Sequence, residues 1–430
     1  VRVVGEDVAA FWAAYDAVRA LADSAAQVAT FRTRYLDPGS PGVRAFVAAR
    51  GYTAEEWVGA IRAYPRFWAS IRSHTMAVAG TISAGLAPGL ARLQALYPAL
   101  RPATVSVTVG ALRSGGTTQD AVVLIGAELA AGGPDVDVSE FTGGTRVFLD
   151  RYFAAQPRTT LVPLTLHEVV HTQQRGIGET VLARALREGS ADLVTELATG
   201  VRVPLPYMTA GPARETALRE AFREQMYTPR LGRWFYNQTS TDPAHVPDLG
   251  YYMGYAIARA YLARAIAGGA DTAAVVRDLI ELPFDDEAAV DRFLARSGYY
   301  AGHVGDGRER AALVRAVEAR RPVVTRVVPI DADGMVDPSV TELRLEFSAP
   351  MAAPYNSLGY GPGGPAEWPV TGRVGFSPDG RAYTLRVALQ PGRRYGFVLE
   401  AQESGGFRSA AAWDPLRPDT VTFTTRPAPR

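Results

Sequence analysis

The chain has 430 residues, 45 basic against 44 acidic side chains, and no cysteine. One compact core stops growing at about 250–300 residues, so two or three folding units are expected. The missing cysteine excludes a disulfide framework, a thiolate metal site and a thiol nucleophile, and a net charge of +1 gives no electrostatic case for nucleic acid.

All the basic residues are arginine, and with 42 glycines and 30 prolines the composition fits a GC-rich bacterial genome. No apolar run reaches the roughly 18–20 residues of a membrane span, so no span is expected. The opening Val1-Arg2-Val3-Val4 lacks methionine, as a chain trimmed of a targeting peptide would. On that reading the protein is secreted, periplasmic or envelope-associated.

Residues 1–102 read as a helical region packed on the core that follows. Phe11, Trp12, Tyr15 and Val18 recur at helical spacing. Asp37-Pro38-Gly39-Ser40-Pro41-Gly42 is a breaker cluster, and 54–64 and 67–82 are further predicted helices.

Residues 103–149 change character. Val105, Val107 and Val109 alternate with small or polar residues, and 122–125 and 145–149 are short β-branched runs. Ser114-Gly115-Gly116-Thr117-Thr118 reads as a flexible turn in a small sheet. The helical signal returns from Pro163, with 181–197, 252–266 and 272–282 as predicted helices. Residues 103–320 are therefore expected to form the core.

Arg320-Arg321-Pro322 marks a boundary, beyond which the period drops to two. Leu343, Leu345 and Phe347 alternate with charged residues. Tyr383, Leu385, Val387 and Leu389, then Phe397 and Leu399, then Val421 and Phe423 continue the pattern. Six or seven strands in about 105 residues predict an antiparallel sandwich over 323–430. The expected class is α+β: a mostly helical core with a small sheet, then an all-β sandwich.

The chemistry sits in Leu166-His167-Glu168-Val169-Val170-His171. Histidines at i and i+4 on one helix face can aim two ring nitrogens at one ion, and Glu168 lies where it can reach a metal-bound water. The competing reading is a histidine pair with no metal. A catalytic zinc takes three protein ligands and keeps one open position. Glu188, in Leu186-Arg187-Glu188-Gly189-Ser190-Ala191-Asp192, is the expected third ligand, returned to the histidines by an antiparallel helix. Asp192, one turn on, is placed to accept the free N–H of a ligand histidine. Gly189 would let the two helices approach closely. The competing reading is a solvated glutamate and a surface aspartate.

Together the two helices resemble the Glu-zincin arrangement, as in thermolysin. That resemblance implies one zinc ion, a water acidified to a pKa of about 7, and Glu168 as general base. Glu-zincins commonly use a phenol as oxyanion partner. Gly250-Tyr251-Tyr252-Met253-Gly254-Tyr255 offers Tyr255, and next Tyr252, with His245 and His303 as alternatives. His74 reads as structural. Such enzymes often lay the substrate against an edge strand, a role open to 114–118 and 122–126.

In this order, His167-Glu168-Val169-Val170-His171-Thr172-Gln173-Gln174, Arg187-Glu188-Gly189-Ser190-Ala191-Asp192 and the tyrosine stretch resemble a group of bacterial predicted zinc-dependent proteases related to gliding-motility lipoproteins. The stretches 37–46, 64–73 and 114–118 are also similar, and the likeness covers roughly 5–305. It implies a Glu-zincin core with His167, His171 and Glu188 as ligands and Glu168 as base, and it implies no substrate; a peptide or protein substrate is expected from the chemistry.

The tail, through Leu345-Glu346-Phe347-Ser348-Ala349-Pro350-Met351, Phe376-Ser377-Pro378-Asp379-Gly380, Pro391-Gly392-Arg393-Arg394-Tyr395 and Phe423-Thr424-Thr425, resembles the bacterial Ig-like domain of S-layer-type surface proteins. That implies a spacer or a platform for a cell-surface or polymer partner. A different class of reading therefore stands beside the enzyme: a surface binding protein whose zinc site is structural or degenerate.

Overall fold

The computed structural model describes every residue except 239, 241, 243, 354, 400–405 and 429–430. The chain divides into two compact units, residues 1–223 with 237–307 and residues 224–236 with 308–430. The class is mixed α+β.

In the first unit the N-terminal region and the core form one body. The reason lies at the start of the chain. Arg2–Val4, expected to belong to a purely helical region, is a strand (β1) paired in parallel with β2 (Thr104–Thr108). Strands β3 (Gly116–Gln119) and β4 (Val122–Gly126) complete a sheet of order β1-β2-β4-β3. Strand β4 is parallel to β2, and β3 is antiparallel to β4 at the sheet edge. In β2 both faces are covered, since Val105, Ser106, Val107 and Thr108 are all buried.

Five α-helices precede β2: α1 (Glu6–Arg19), α2 (Ser24–Phe31), continued by a π-helical turn Arg32–Leu36, α3 (Pro41–Arg50), α4 (Ala54–Ala63) and α5 (Pro65–Leu96). The breaker cluster starts α3: Ser40 Oγ accepts from the Gly42 and Val43 amides, and Pro41 takes the first turn. Thr53 and Glu56 form a reciprocal capping box on α4. Phe11, Phe31, Tyr35, Trp57 and Trp68 interlock as edge-to-face and tilted ring pairs. By length and composition, α5 is long and apolar enough to cross a membrane, where the sequence reading found no such run. Its buried stripe (Phe67, Ile71, Val78, Ile82, Leu86, Leu93) follows the spacing of a core helix, and α5 packs on the helices that carry His167, His171 and Glu188.

The short α6 (Ala127–Ala130) carries Glu128, which is fully buried. Its carboxylate accepts from the Gly110 amide at 2.8 Å and the Leu112 amide at 3.1 Å, fixing the loop that leads into β3. Burial pushes its pKa from the ordinary 4.5 up to about 7, against the pull of those amides. The sign follows. The unfolded chain gives up this proton near 4.5 and the folded chain near 7, so the group's contribution is whole below 4.5 and is lost as pH rises through 7. Glu128→Gln is expected to flatten a pH-dependent loss of roughly 3 kcal/mol. Denaturant unfolding of both proteins at acid and mildly alkaline pH checks this, and parallel pH curves would contradict it.

The run 145–149, expected as a strand, lies inside α7 (Gly143–Ala154). Leu149 and Phe153, four residues apart, turn one helical face into the core, and that burial outweighs β propensity. The expected turn 114–118 is partly the edge strand β3. There follow α8 (Leu161–His171), α9 (Val181–Thr199), α10 (Pro206–Gln225), α11 (Leu249–Ala267), α12 (Thr272–Glu281) and α13 (Glu287–Ser297).

The second unit is a sandwich. One sheet has the order β5-β7-β10-β9, from Val324–Val328, Glu342–Phe347, Ala382–Val387 and Val370–Phe376. The other has the order β6-β12-β11-β8, from Met335–Val336, Asp419–Thr425, Arg394–Leu399 and Leu358–Tyr360. Pairing is antiparallel except between β6 and β12. Leu343, Leu345, Tyr383 and Leu385 from one sheet meet Tyr395, Phe397, Leu399 and Phe423 from the other in one core. The unit begins before the expected boundary at 320. Helix α14 (Arg308–Arg320) and residues 224–236 belong to it, because buried Asp414 accepts from Arg230 Nη1 at 3.2 Å and Arg320 Nε at 2.8 Å.

Candidate metal centre

Helix α8 carries His167 and His171 one turn apart, and α9 brings Glu188 to them. All three are buried, with ligand atoms within 4.8 Å of one another, and the group could hold a metal ion. Glu188 Oε2 lies 2.9 Å from His171 Nε2 and 3.5 Å from His167 Nε2. Arg187 Nη1 holds the other carboxylate oxygen at 3.0 Å.

The proton positions can be read from the far side of each ring. Gln174 Nε2 donates to the Arg187 carbonyl at 3.0 Å, which fixes the amide orientation. Its Oε1, 2.6 Å from His171 Nδ1, can then only accept, so Nδ1 carries the hydrogen. His171 Nε2 faces Glu188 Oε2: an imidazolium donates to it there, and a neutral ring presents a lone pair beside the carboxylate, so that a cation would be held by both. On His167, Nδ1 lies 2.8 Å from Asp192 Oδ1, close but off hydrogen-bond alignment. The donor set fits a divalent metal: two imidazole rings and one carboxylate, with His171 oriented from behind by Gln174 and Glu188 by Arg187.

The electrostatics agree. Burial lowers the pKa of the His167 ring, but Asp192, then Glu188 and Glu168, push it up to about 10. Burial raises that of Glu188, but His171, His167 and Arg187 hold it well below the carboxylate range. Cations are thus stabilised in this pocket and the carboxylate stays ionised.

Glu168 is half-buried and faces the edge strand. A Cβ on Gly116 would sit 3.0 Å from Glu168 Oε1, so β3 passes directly over this carboxylate. Gly189 does allow close helix packing, but against α11 and not α8. A Cβ there would strike the backbone of Gly254 and Tyr255.

Neither Tyr255 nor Tyr252 is turned to the metal group. Tyr255 donates to Glu196 Oε2 at 2.5 Å and Tyr252 to Glu215 Oε2 at 2.5 Å. Helical rotation is the cause: at about 100° per residue, neighbours in α11 point different ways. The tyrosine that reaches the histidines is Tyr251, stacked with its ring centroid 6.4 Å from that of His167. Tyr207 of α10 stacks on Tyr251 at 5.0 Å and donates to Asp192 Oδ2 at 3.3 Å. Sequence reasoning missed Tyr207 altogether, since nothing local marks it. It also gave no role to Gln174, although a residue three past His171 is within reach of that ring on a helix end. The remaining histidines engage other groups: His245 binds the Asn237 carbonyl, His303 pairs with Asp291, and His74 meets Asp135 and Arg158.

No family model and no curated protein matches the chain. Two solved structures are similar at a low level. The surface layer protein SbsC, domains 1–6, shows 13% identity and a TM-score of 0.19 over 97% of this chain and 41% of that one. The S-layer protein rSbsC shows 12% identity and a TM-score of 0.17 over 99% and 46%. The chain thus spans less than half of either structure. Likeness at this level carries no argument about fold or activity, so the resemblance rests on the residues themselves.

Proposed function

We propose that this chain is a zinc-dependent metallohydrolase, and within that class a peptidase acting on an extended segment laid beside β3. The observation that carries the reading is the convergence of His167, His171 and Glu188, all buried, with one ligand atom of each within 4.8 Å of the others. Two imidazoles and a carboxylate leave one corner of a tetrahedron open, as catalytic zinc requires. Zinc is proposed from ligand type, because other divalent ions accept the same donors. Bound zinc would supply Lewis acidity, lowering the pKa of a coordinated water to about 7 and polarising a carbonyl.

The protein's own residues have separate tasks. Glu168 removes a proton from the attacking water and returns it to the leaving amine. Gln174 holds a hydrogen on His171 Nδ1, and Asp192, 2.8 Å from His167 Nδ1, is the carboxylate that would back that ring once a metal displaces the Nε2 proton. Strand β3 offers an unpaired edge for main-chain hydrogen bonds to substrate. Tyr251 takes the role first given to Tyr255, as the phenol of α11 nearest the histidines. The sandwich is proposed to engage a cell-surface or polymer partner, in a secreted or envelope-associated protein.

Metal analysis and digestion of a mixed peptide library test the reading. About one zinc per chain is expected, as three protein ligands and one open position define one site. His171→Ala should lose the zinc. A wild-type chain that takes up no zinc when supplied with it would sink the proposal. Zinc without cleavage by the wild type would leave the second reading, a surface binding protein with a structural metal, which the separate sandwich unit favours. Asp192→Asn is expected to weaken metal binding about 10–100-fold, measured by competition with a chromophoric chelator. Unchanged affinity would remove Asp192 from the site.

A further inference from the structure

Helices α10 and α11 form two walls of a cavity of about 520 Å³ in the first unit. The size suits a small organic ligand. Arg202, Arg219, Arg259, Tyr252, Tyr255 and Tyr299 stand in its wall.

The carboxylates here are already engaged. Glu196 accepts from Tyr255 at 2.5 Å and from Arg202 through two bonds of 3.1 Å. Glu215 accepts on both oxygens, from Tyr252 at 2.5 Å and Tyr299 at 3.0 Å. Two guanidiniums are not so engaged. Among the described residues, neither Arg219 nor Arg259 has a carboxylate oxygen within 4.0 Å.

Both are nevertheless held in place. Arg219 lies over the ring of Tyr299 at 4.9 Å and that of Tyr300 at 5.2 Å. Arg259 lies 5.8 Å from the centroid of Tyr255 and gives one N–H to its hydroxyl at 3.2 Å. Stacking fixes a guanidinium plane while leaving its fork of N–H donors free for an anion.

We propose that this cavity is a second binding site, separate from the metal centre, for the oxyanion group of a small organic anion. Arg219 and Arg259 grip the carboxylate or phosphate through charge-assisted hydrogen bonds, and the phenol rings bound the organic part. The site does not depend on the chain being a peptidase. Its position ties it to the centre all the same: Glu196, which holds Tyr255 and Arg202 of the cavity wall, lies on the helix of Glu188 and Asp192, about two turns past the first and one past the second.

Isothermal titration calorimetry of the full chain at low ionic strength, with inorganic phosphate and separately with succinate, tests the proposal. Saturable binding of at least one probe is expected, weakened about tenfold or more in Arg219→Gln and in Arg259→Gln. These variants sit on different helices, so misfolding of one, seen by circular dichroism, leaves the other as the test. Arg34→Gln, an exposed arginine in another part of the unit, should bind as wild type. Binding of phosphate alone would identify a phosphate ester as the ligand, and binding of succinate alone a carboxylate. No saturable binding of either probe, or equal weakening in Arg34→Gln, would overturn the proposal.

Discussion

If the chain is the zinc peptidase proposed above, Glu168→Gln is expected to keep the metal and to lose peptide hydrolysis by about 10²–10⁴-fold, the usual worth of a positioned general base. The substitution preserves shape and removes only the ability to take a proton. Glu168 lies outside the three ligating groups, so the metal should remain. It lies against Gly116, so the neutral amide still fits beneath β3. The effect should fall on kcat, because proton transfer belongs to the transition state and not to ground-state binding. The readouts are zinc content and single-substrate kinetics on a peptide cleaved by the wild type. Equal kcat in both proteins would remove Glu168 from the chemistry and leave the metal without a base.

The histidine pair on α8 was legible because helix geometry alone brings i and i+4 together, and the helix forms where the sequence places it. Glu188 was legible for a similar reason: a short connection forces α9 back along α8. The tyrosines show where such reasoning ends. Tyr251, Tyr252 and Tyr255 are equivalent in composition, and the rotation of α11 that turns Tyr251 to His167 is set by the Gly189–Gly254 contact, which no local pattern encodes. The sandwich strands were legible because one covered face imposes a period of two. Arg2–Val4 was not, since three residues are too few to show a period and the strand exists only because β2 lies beside it. Residues 224–236 joined the sandwich unit through Arg230 and Asp414, a long-range ion pair invisible to spacing.

Gly254→Ala is expected to destabilise the first unit by about 3 kcal/mol, the upper range for overpacking a close contact. A Cβ at this position would fall on the carbonyl of Ala185, and one at Gly189 on the backbone of Gly254 and Tyr255. The obstacles are main-chain atoms, which cannot rotate away as a side chain can. Relief therefore requires α9 and α11 to separate. That motion acts on the centre directly, because Gly189 follows Glu188 and Tyr251 lies less than one turn before Gly254. On the proposed reading, zinc affinity should fall along with stability, although none of His167, His171 and Glu188 has been changed. Gly59→Ala is the control: Gly59 lies inside α4 with nothing near its would-be Cβ, so it should gain roughly 0.5–1 kcal/mol from helix propensity. Denaturant unfolding and chelator competition on both variants decide the matter. If Gly254→Ala unfolds no earlier than wild type and holds zinc equally well, the close approach of α9 and α11 does not position Glu188.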